Sequence, residues 1–269
     1  MPWTIDYGPW TIKTHTMSFF SNLQLYYIRK VKESLHNPGF LFMAVGTPLM
    51  YLLLFAPMLQ HFTGMPGFTS ASVLNVFLPG VVVVIAVYGG LYVGFGLVDE
   101  IRQGIIERFR VTPTSRLALL LGSVLRDVSG VLVQTLLITL LAIPFGLKVY
   151  WGGFIIVMIL LAIISALFAA FSYALALRLK SEDAIAPIIQ GISLPIMLLA
   201  GFLLPMEMAP HWLQVAAHFN PVYYAVEASR ALMGGQVNTS VVFQAFAVLL
   251  PVMALVFWWA IRSYKTAVA

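Results

Sequence analysis

Residues 153–177 read GFIIVMILLAIISALFAAFSYALAL. This run holds no Asp, Glu, Lys, Arg or His. A helix rises 1.5 Å per residue, so the segment is long enough to cross a hydrocarbon core of roughly 30 Å. In lipid the backbone must satisfy its own hydrogen bonds, and a helix does that within one segment. The run lacks the period-2 alternation of a barrel strand.

Five further apolar blocks have comparable length: Phe40–Gln60, Val73–Val98, about Leu117–Leu147, Ala184–Leu204 and about Val241–Ile261. The composition agrees with them. The 269 residues are 61% hydrophobic and 9% charged, and the mean hydropathy is +0.93. A soluble domain carries about 25% charged residues, and a disordered chain needs low hydrophobicity. Both classes are excluded. The expected fold is an all-α integral membrane protein with six transmembrane helices. Residues 1–39 form a cytoplasmic N-terminus, and 40–269 form the six-span domain. No room is left for a large soluble catalytic domain, and no internal repeat is visible. Residues 1–39 are too polar for a secretory signal. The chain has no cysteine, which removes disulfides, thiolate metal sites and Cys nucleophiles and leaves the redox compartment open.

Orientation follows from the basic residues. With the N-terminus in the cytoplasm, thirteen of them lie inside: Lys13, Arg29, Lys30, Lys32, Arg102, Arg108, Arg110, Arg116, Arg126, Arg178, Lys180, Arg262 and Lys265. Only Lys148 and Arg230 lie outside. That asymmetry predicts both termini on the cytoplasmic face of a cell (inner or plasma) membrane. It also assigns the +5 net charge to the membrane surface and its lipids rather than to nucleic acid. Prolines 48, 57, 79, 144, 187, 195 and 251 fall in or at the ends of spans. Each reads as ordinary membrane-helix usage or as a hinge.

Three segments outside the plain spans are candidates for function. In the first, Phe20, Leu23, Tyr27, Val31 and Leu35 share one helical face, with Lys30, Lys32 and Glu33 mostly on the other. Asn37-Pro38-Gly39 then breaks the helix. Such a helix lies in the headgroup plane, either as an anchor or as a lever for a cytoplasmic partner. The second is DEIRQGIIERFRVTPTSR, Asp99 to Arg116, the densest charge cluster in the chain. Ile101, Ile105, Ile106 and Phe109 form a short apolar stripe, which Pro113 ends. This loop either fixes topology through its arginines or docks into a groove on a soluble partner. The third runs from Leu203 to Gly235. Pro205, Pro210 and Asn220-Pro221 divide it into two short helical pieces, and Glu227 and Arg230 stand three apart, able to pair. Trp212, Tyr223 and Tyr224 suit an interface. The stretch reads as an interfacial cap, or as the outer gate of a path.

Arg126 and Asp127 read as a headgroup-level pair on a helix that extends below the bilayer from about Ser115. Nothing points to catalysis. There is no GxxxxGK[ST] phosphate loop, no HExxH and no GxSxG. Leu232-Met233-Gly234-Gly235-Gln236 imitates a cassette signature on the wrong side of the membrane. Glu207, His211 and His218 are normal interface residues, and no metal site is expected.

Gly94–Pro113, GFGLVDEIRQGIIERFRVTP, resembles the end of span two and the coupling helix of type-2 ABC exporter permeases. The Arg108-Phe109-Arg110 triplet with its following proline is closest to the daunorubicin-resistance-type drug exporter branch. Leu203-Leu204-Pro205, Pro210-His211-Trp212 and Asn220-Pro221 with Tyr224 and Arg230 resemble that family's re-entrant helices before the last span. The resemblance covers nearly the whole chain and implies a type V ABC exporter-like fold. It implies that the N-terminal helix and the segment with Arg102, Gly104, Glu107, Arg108, Phe109, Arg110 and Pro113 contact a separate ATP-binding cassette subunit. Two copies of each would assemble, the permease as a homodimer or beside a close relative. ATP and Mg would sit on the partner, with no cofactor in this chain. The cargo would be a hydrophobic or amphiphilic drug-like or lipid-like molecule, or a lipid-linked glycan. An ion-coupled secondary transporter is the competing class. It usually needs ionisable groups or broken helices at mid-membrane. Spans one, two, four and six carry no ionisable residue there.

Overall fold

A computed structural model describes residues 23–24, 27–32, 36, 39, 46, 50, 53–54, 70–104, 116–202 and 206–267. The described chain forms α1 (Ser70–Leu91), α2 (Val93–Arg102), α3 (Arg116–Ala142), α4 (Trp151–Leu179) and α5 (Glu182–Ala200). Then come α6 (His211–Ala217), α7 (Pro221–Met233) and α8 (Ser240–Ala267). Five helices among the described residues are long and apolar enough to cross a membrane, with α1 and α2 counted together. The expected first span, Phe40–Gln60, lies outside the described residues except at Gly46, Met50, Leu53 and Leu54.

Residues 153–177 lie in the central helix, α4. α4 packs against α8, α1, α2, α3, α7 and α5. Its sequence is apolar on every side, which suits a helix with neighbours all round. Lipid tails give helices little hydrophobic reason to associate, so close packing must hold them. Small residues supply it. A Cβ on Gly90 would sit 2.7 Å from the Ser165 carbonyl oxygen and 2.9 Å from the Ala169 nitrogen. One on Gly94 would sit 2.4 Å from Ser172 Oγ, and one on Gly153 only 2.1 Å from the Leu232 carbonyl oxygen. The outward faces of α3, α5 and α8 remain apolar and exposed, as at Val133, Leu198 and Phe243.

Two boundaries differ from expectation. The block Val73–Val98 extends to Arg102 as one span, with α1 and α2 meeting at Tyr92, whose backbone stays in the right-handed helical region and whose amide donates to the Tyr88 carbonyl at 3.1 Å. Pro79 sits inside α1 without ending it, so proline did not mark the junction. The third span ends at Ala142, where Ile143–Phe145 tighten into a 3-10 turn around Pro144 and Gly146 takes a left-handed backbone. Pro187, Pro195 and Pro251 lie inside helices.

Candidate functional site

The junction at Tyr92 is stitched by a side chain from α4. Helix ends leave carbonyls and amides without intrahelical partners. The Ser172 hydroxyl donates to the Leu91 carbonyl at the end of α1. It also accepts from the Gly94 amide at 3.0 Å, at the start of α2. The Phe95 amide donates back to the Tyr92 carbonyl at 3.3 Å. Around the junction Tyr88 stacks on Tyr92, and Tyr92 on Phe95, with ring centroids 5.8 and 5.9 Å apart. Tyr92 is exposed, and its hydroxyl reaches Gln190 of α5 at 3.5 Å. An aromatic row with one polar contact thus runs along the open side of α1 and α2.

From this junction α2 leads to the charged loop. Arg102 in its last turn meets Glu182, at the start of α5, at 2.8 Å. Both are well exposed, so the pair is worth at most about 1 kcal/mol. Gly104 does not begin the expected coupling helix. It ends α2, with φ +68° and its amide donating to the Ile101 carbonyl. A left-handed residue after a helix is the usual place for glycine. Glu107, Arg108, Phe109, Arg110 and Pro113 lie outside the described residues.

Beside the base of α2 is a cluster only partly foreseen. Lys30 in the N-terminal segment pairs with Glu100 of α2, and both are largely buried. On α3, Arg126 pairs with Asp127. The Asp127 side chain is only 2% exposed, and the Tyr173 hydroxyl of α4 donates to its other oxygen. The expected Arg126–Asp127 pair is thus present, with its carboxylate enclosed rather than exposed. It is enclosed among α3 and α4, where Arg126 and Tyr173 compensate its desolvation. A cavity of about 320 Å³ opens here, lined by Lys30, Tyr92, Glu100, Ser123, Arg126 and Tyr173, among others. Of the expected N-terminal face, Leu23, Tyr27 and Val31 are half-buried, while Phe20 and Leu35 lie outside the described residues. Leu23 and Tyr27 line a groove against α3.

At the other end, the stretch after α5 does form two short helices, α6 and α7. Asn220 caps α7, its Oδ1 accepting from the Val222 amide at 3.0 Å, and Pro221 follows at the first helical position. The Asn220 amide donates to the Ile196 carbonyl of α5 at 2.7 Å. Glu227 and Arg230 pair at 2.6 Å. Arg230 does more than pair: it donates to the Val76 carbonyl of α1 at 3.1 Å and to Gly201 after α5 at 2.6 Å. Tyr224 donates to the His218 carbonyl at 3.0 Å. α7 is thus built into the bundle against α1, α4, α5 and α8, more deeply than an interfacial cap. Trp212 and Phe219, at 70% and 85% exposure, carry the interfacial character instead. Pro210 precedes α6, and Pro205 lies outside the described residues.

The order of these parts is a span of two joined helices, a charged loop, a central apolar helix and two short helices before the last span. A sequence profile described as ABC-2 type transporter matches residues 21–234. The chain belongs to the ABC-2 type transporter family. The daunorubicin resistance ABC transporter permease protein DrrB1 of Streptomyces coeruleorubidus is 28% identical over 202 residues, covering 74% of this chain and 70% of that protein. The ycf38 protein of Cyanophora paradoxa, which bears the name of a transport permease, is 26% identical over 219 residues, covering 80% and 76%. That of Pyropia yezoensis is 24% identical over 221 residues, covering 81% and 76%. This chain is a membrane-spanning ABC-2 permease with a drug-resistance permease among its relatives. Such permeases work in general with an ATP-binding partner.

Proposed function

We propose that this permease is the membrane subunit of an ATP-driven exporter. It moves a hydrophobic or amphiphilic, drug-like or lipid-like cargo out of the cytoplasm or inner leaflet. The family match carries the reading, and the likeness to a daunorubicin resistance permease supports the cargo class. ATP and Mg are held by a separate cassette subunit, present in two copies beside two permeases, identical or closely related. Both termini face the cytoplasm, a reading that the basic-residue asymmetry supports.

The geometry supplies a plausible transmission. A push on the loop 105–113 reaches α2, which is held to the N-terminal segment through Lys30–Glu100 and to α5 through Arg102–Glu182. Ser172 of α4 ties the end of α1 to the start of α2, so a displacement of α2 passes to α1 and to the central helix. The row Tyr88, Tyr92 and Phe95 offers cargo an apolar, stackable surface. Arg230 and Asn220 set the outer helices as a gate against α1 and α5. Driving force comes only from the partner's different affinity for the two arrangements of the loop. Isolation of the chain under mild conditions tests the partnership. A soluble subunit with a phosphate loop should accompany it, and cross-links from that subunit should fall on residues 105–113. Cross-links confined to the opposite end would refute the reading.

A further inference from the structure

The rim where α4 ends carries a cation that no carboxylate matches. Arg178, in the last turn of α4, is exposed and donates through Nε to Ser263 Oγ of α8 at 3.1 Å. That hydroxyl donates in turn to the Trp259 carbonyl at 3.0 Å, which fixes its direction. The Arg178 guanidinium carbon lies 5.1 Å from the centroid of the Trp259 ring, and Phe171 packs on the same ring. Stack and hydrogen bond together hold the planar group in one place. Only Nε is used, so the two terminal nitrogens are open among the described residues. Lys180 caps α4 with φ +51°, a left-handed position that usually goes to glycine. It is exposed, and no ion pair joins it or Arg178 to a carboxylate among the described residues. Glu182 is matched by Arg102, and Asp183 stands with it on α5, which packs against α1, α2, α4, α6 and α7. Beside the stacked ring, α8 exposes Trp258 and, one turn nearer mid-membrane, Leu255.

We propose that this rim binds an anionic phospholipid of the leaflet that meets it. The phosphate lies on the two terminal nitrogens of Arg178, a planar fork that matches two phosphate oxygens. Lys180 meets the same headgroup as a point charge, and one acyl chain runs along Trp258 and Leu255. Two cations without a matching carboxylate favour a headgroup of net negative charge over a zwitterion. The exposed apolar surface beside them favours a lipid over a free phosphate or an acidic peptide. Trp259 and Ser263 touch the guanidinium rather than the lipid, so they are positioning residues. Binding needs neither ATP nor cargo, so it stands or falls separately from the exporter reading.

The full chain, with any subunit that accompanies it, is placed in nanodiscs of phosphatidylcholine containing phosphatidylglycerol. Lipids still bound after release are counted by native mass spectrometry. The wild type should retain phosphatidylglycerol over phosphatidylcholine. Arg178→Gln should lower that retention about tenfold, the size of one charge-assisted contact. Ser263→Ala keeps every charge but frees the guanidinium, and should lower it about threefold. Lys180→Gly should lower it about fivefold, with no fall in the unfolding midpoint, because glycine suits the left-handed backbone. Lys148→Gln, at the opposite end of α4, should change nothing. Equal retention of the two lipids by the wild type overturns the proposal, as does retention unchanged in both R178Q and K180G. A loss in K148Q as large as in K180G also overturns it, since any surface cation would then serve. So does glycerol 3-phosphate displacing the lipid, or a partner subunit cross-linking to residues 178 and 180 in place of it.

Discussion

Ser172 Oγ lies 3.0 Å from the Gly94 amide nitrogen and accepts its hydrogen bond while donating to the Leu91 carbonyl. One hydroxyl on the central helix thus ties both sides of a junction in its neighbour. Ser172→Ala leaves a buried carbonyl and a buried amide without that partner. It should lower stability by about 1–3 kcal/mol, read as a fall in the thermal unfolding midpoint in detergent. Transport should fall as well, because the junction would lose its fixed geometry.

Glycine substitutions should separate by what their Cβ meets. Gly153→Ala drives a methyl to 2.1 Å from the Leu232 backbone oxygen, and Gly94→Ala to 2.4 Å from Ser172 Oγ. The Gly94 methyl would also meet the Ser172 backbone oxygen at 2.7 Å, so both variants should cost several kcal/mol or block assembly, with G153A the worse because its contact is closer. Gly191→Ala, whose Cβ meets nothing within 4 Å among the described residues, should be neutral or stabilising by up to about 1 kcal/mol. Folded yield by size-exclusion chromatography ranks the three.

Arg230 joins three elements through Glu227, Val76 and Gly201. Arg230→Met removes every one of these bonds and strands Glu227. A loss of about 3 kcal/mol is expected, whereas Glu227→Gln, which keeps an acceptor for Arg230, should cost about 1 kcal/mol. Chemical unfolding of the two variants side by side checks the ratio.

Asp127 should tolerate Asn better than Leu. Asn keeps an oxygen for the Tyr173 hydroxyl, while Leu removes the bonds that Asp127 makes with that hydroxyl and with the Arg126 guanidinium. Breaking a buried pair costs roughly 3–5 kcal/mol, reduced here because Arg126 borders the open cavity. Poor insertion or low yield of D127L beside near-normal D127N is the expected pattern.

Much of the frame was legible in sequence because it rests on local periodicity and length. The central helix, the two short helices split at Asn220-Pro221, and the Glu227–Arg230 pair all follow from residues within a few positions of one another. The junction at Tyr92 was not, since it depends on Ser172, far along the chain. Its local signal was the density of Gly89, Gly90, Gly94 and Gly96 rather than a proline. The enclosure of Asp127 was missed for the same reason: Tyr173 and Arg126 reach it only once α3 and α4 pack. The place of Gly104 just after α2 was not legible, because a glycine reads equally well as an end or a beginning until its backbone angle is seen.

Glu107 and Arg108 lie in the loop assigned to the ATPase. Replacing either by Ala should leave membrane insertion intact and uncouple ATP hydrolysis from transport. The check is ATPase rate against cargo flux in one vesicle preparation. Normal coupling in both variants would move the docking site elsewhere.

Reconstitution into sealed vesicles weighs the central claim most directly. The permease alone should accumulate no cargo under a proton or sodium gradient, and adding its ATPase with ATP and Mg should start uphill movement. Sustained accumulation by the permease alone on an ion gradient would contradict the account.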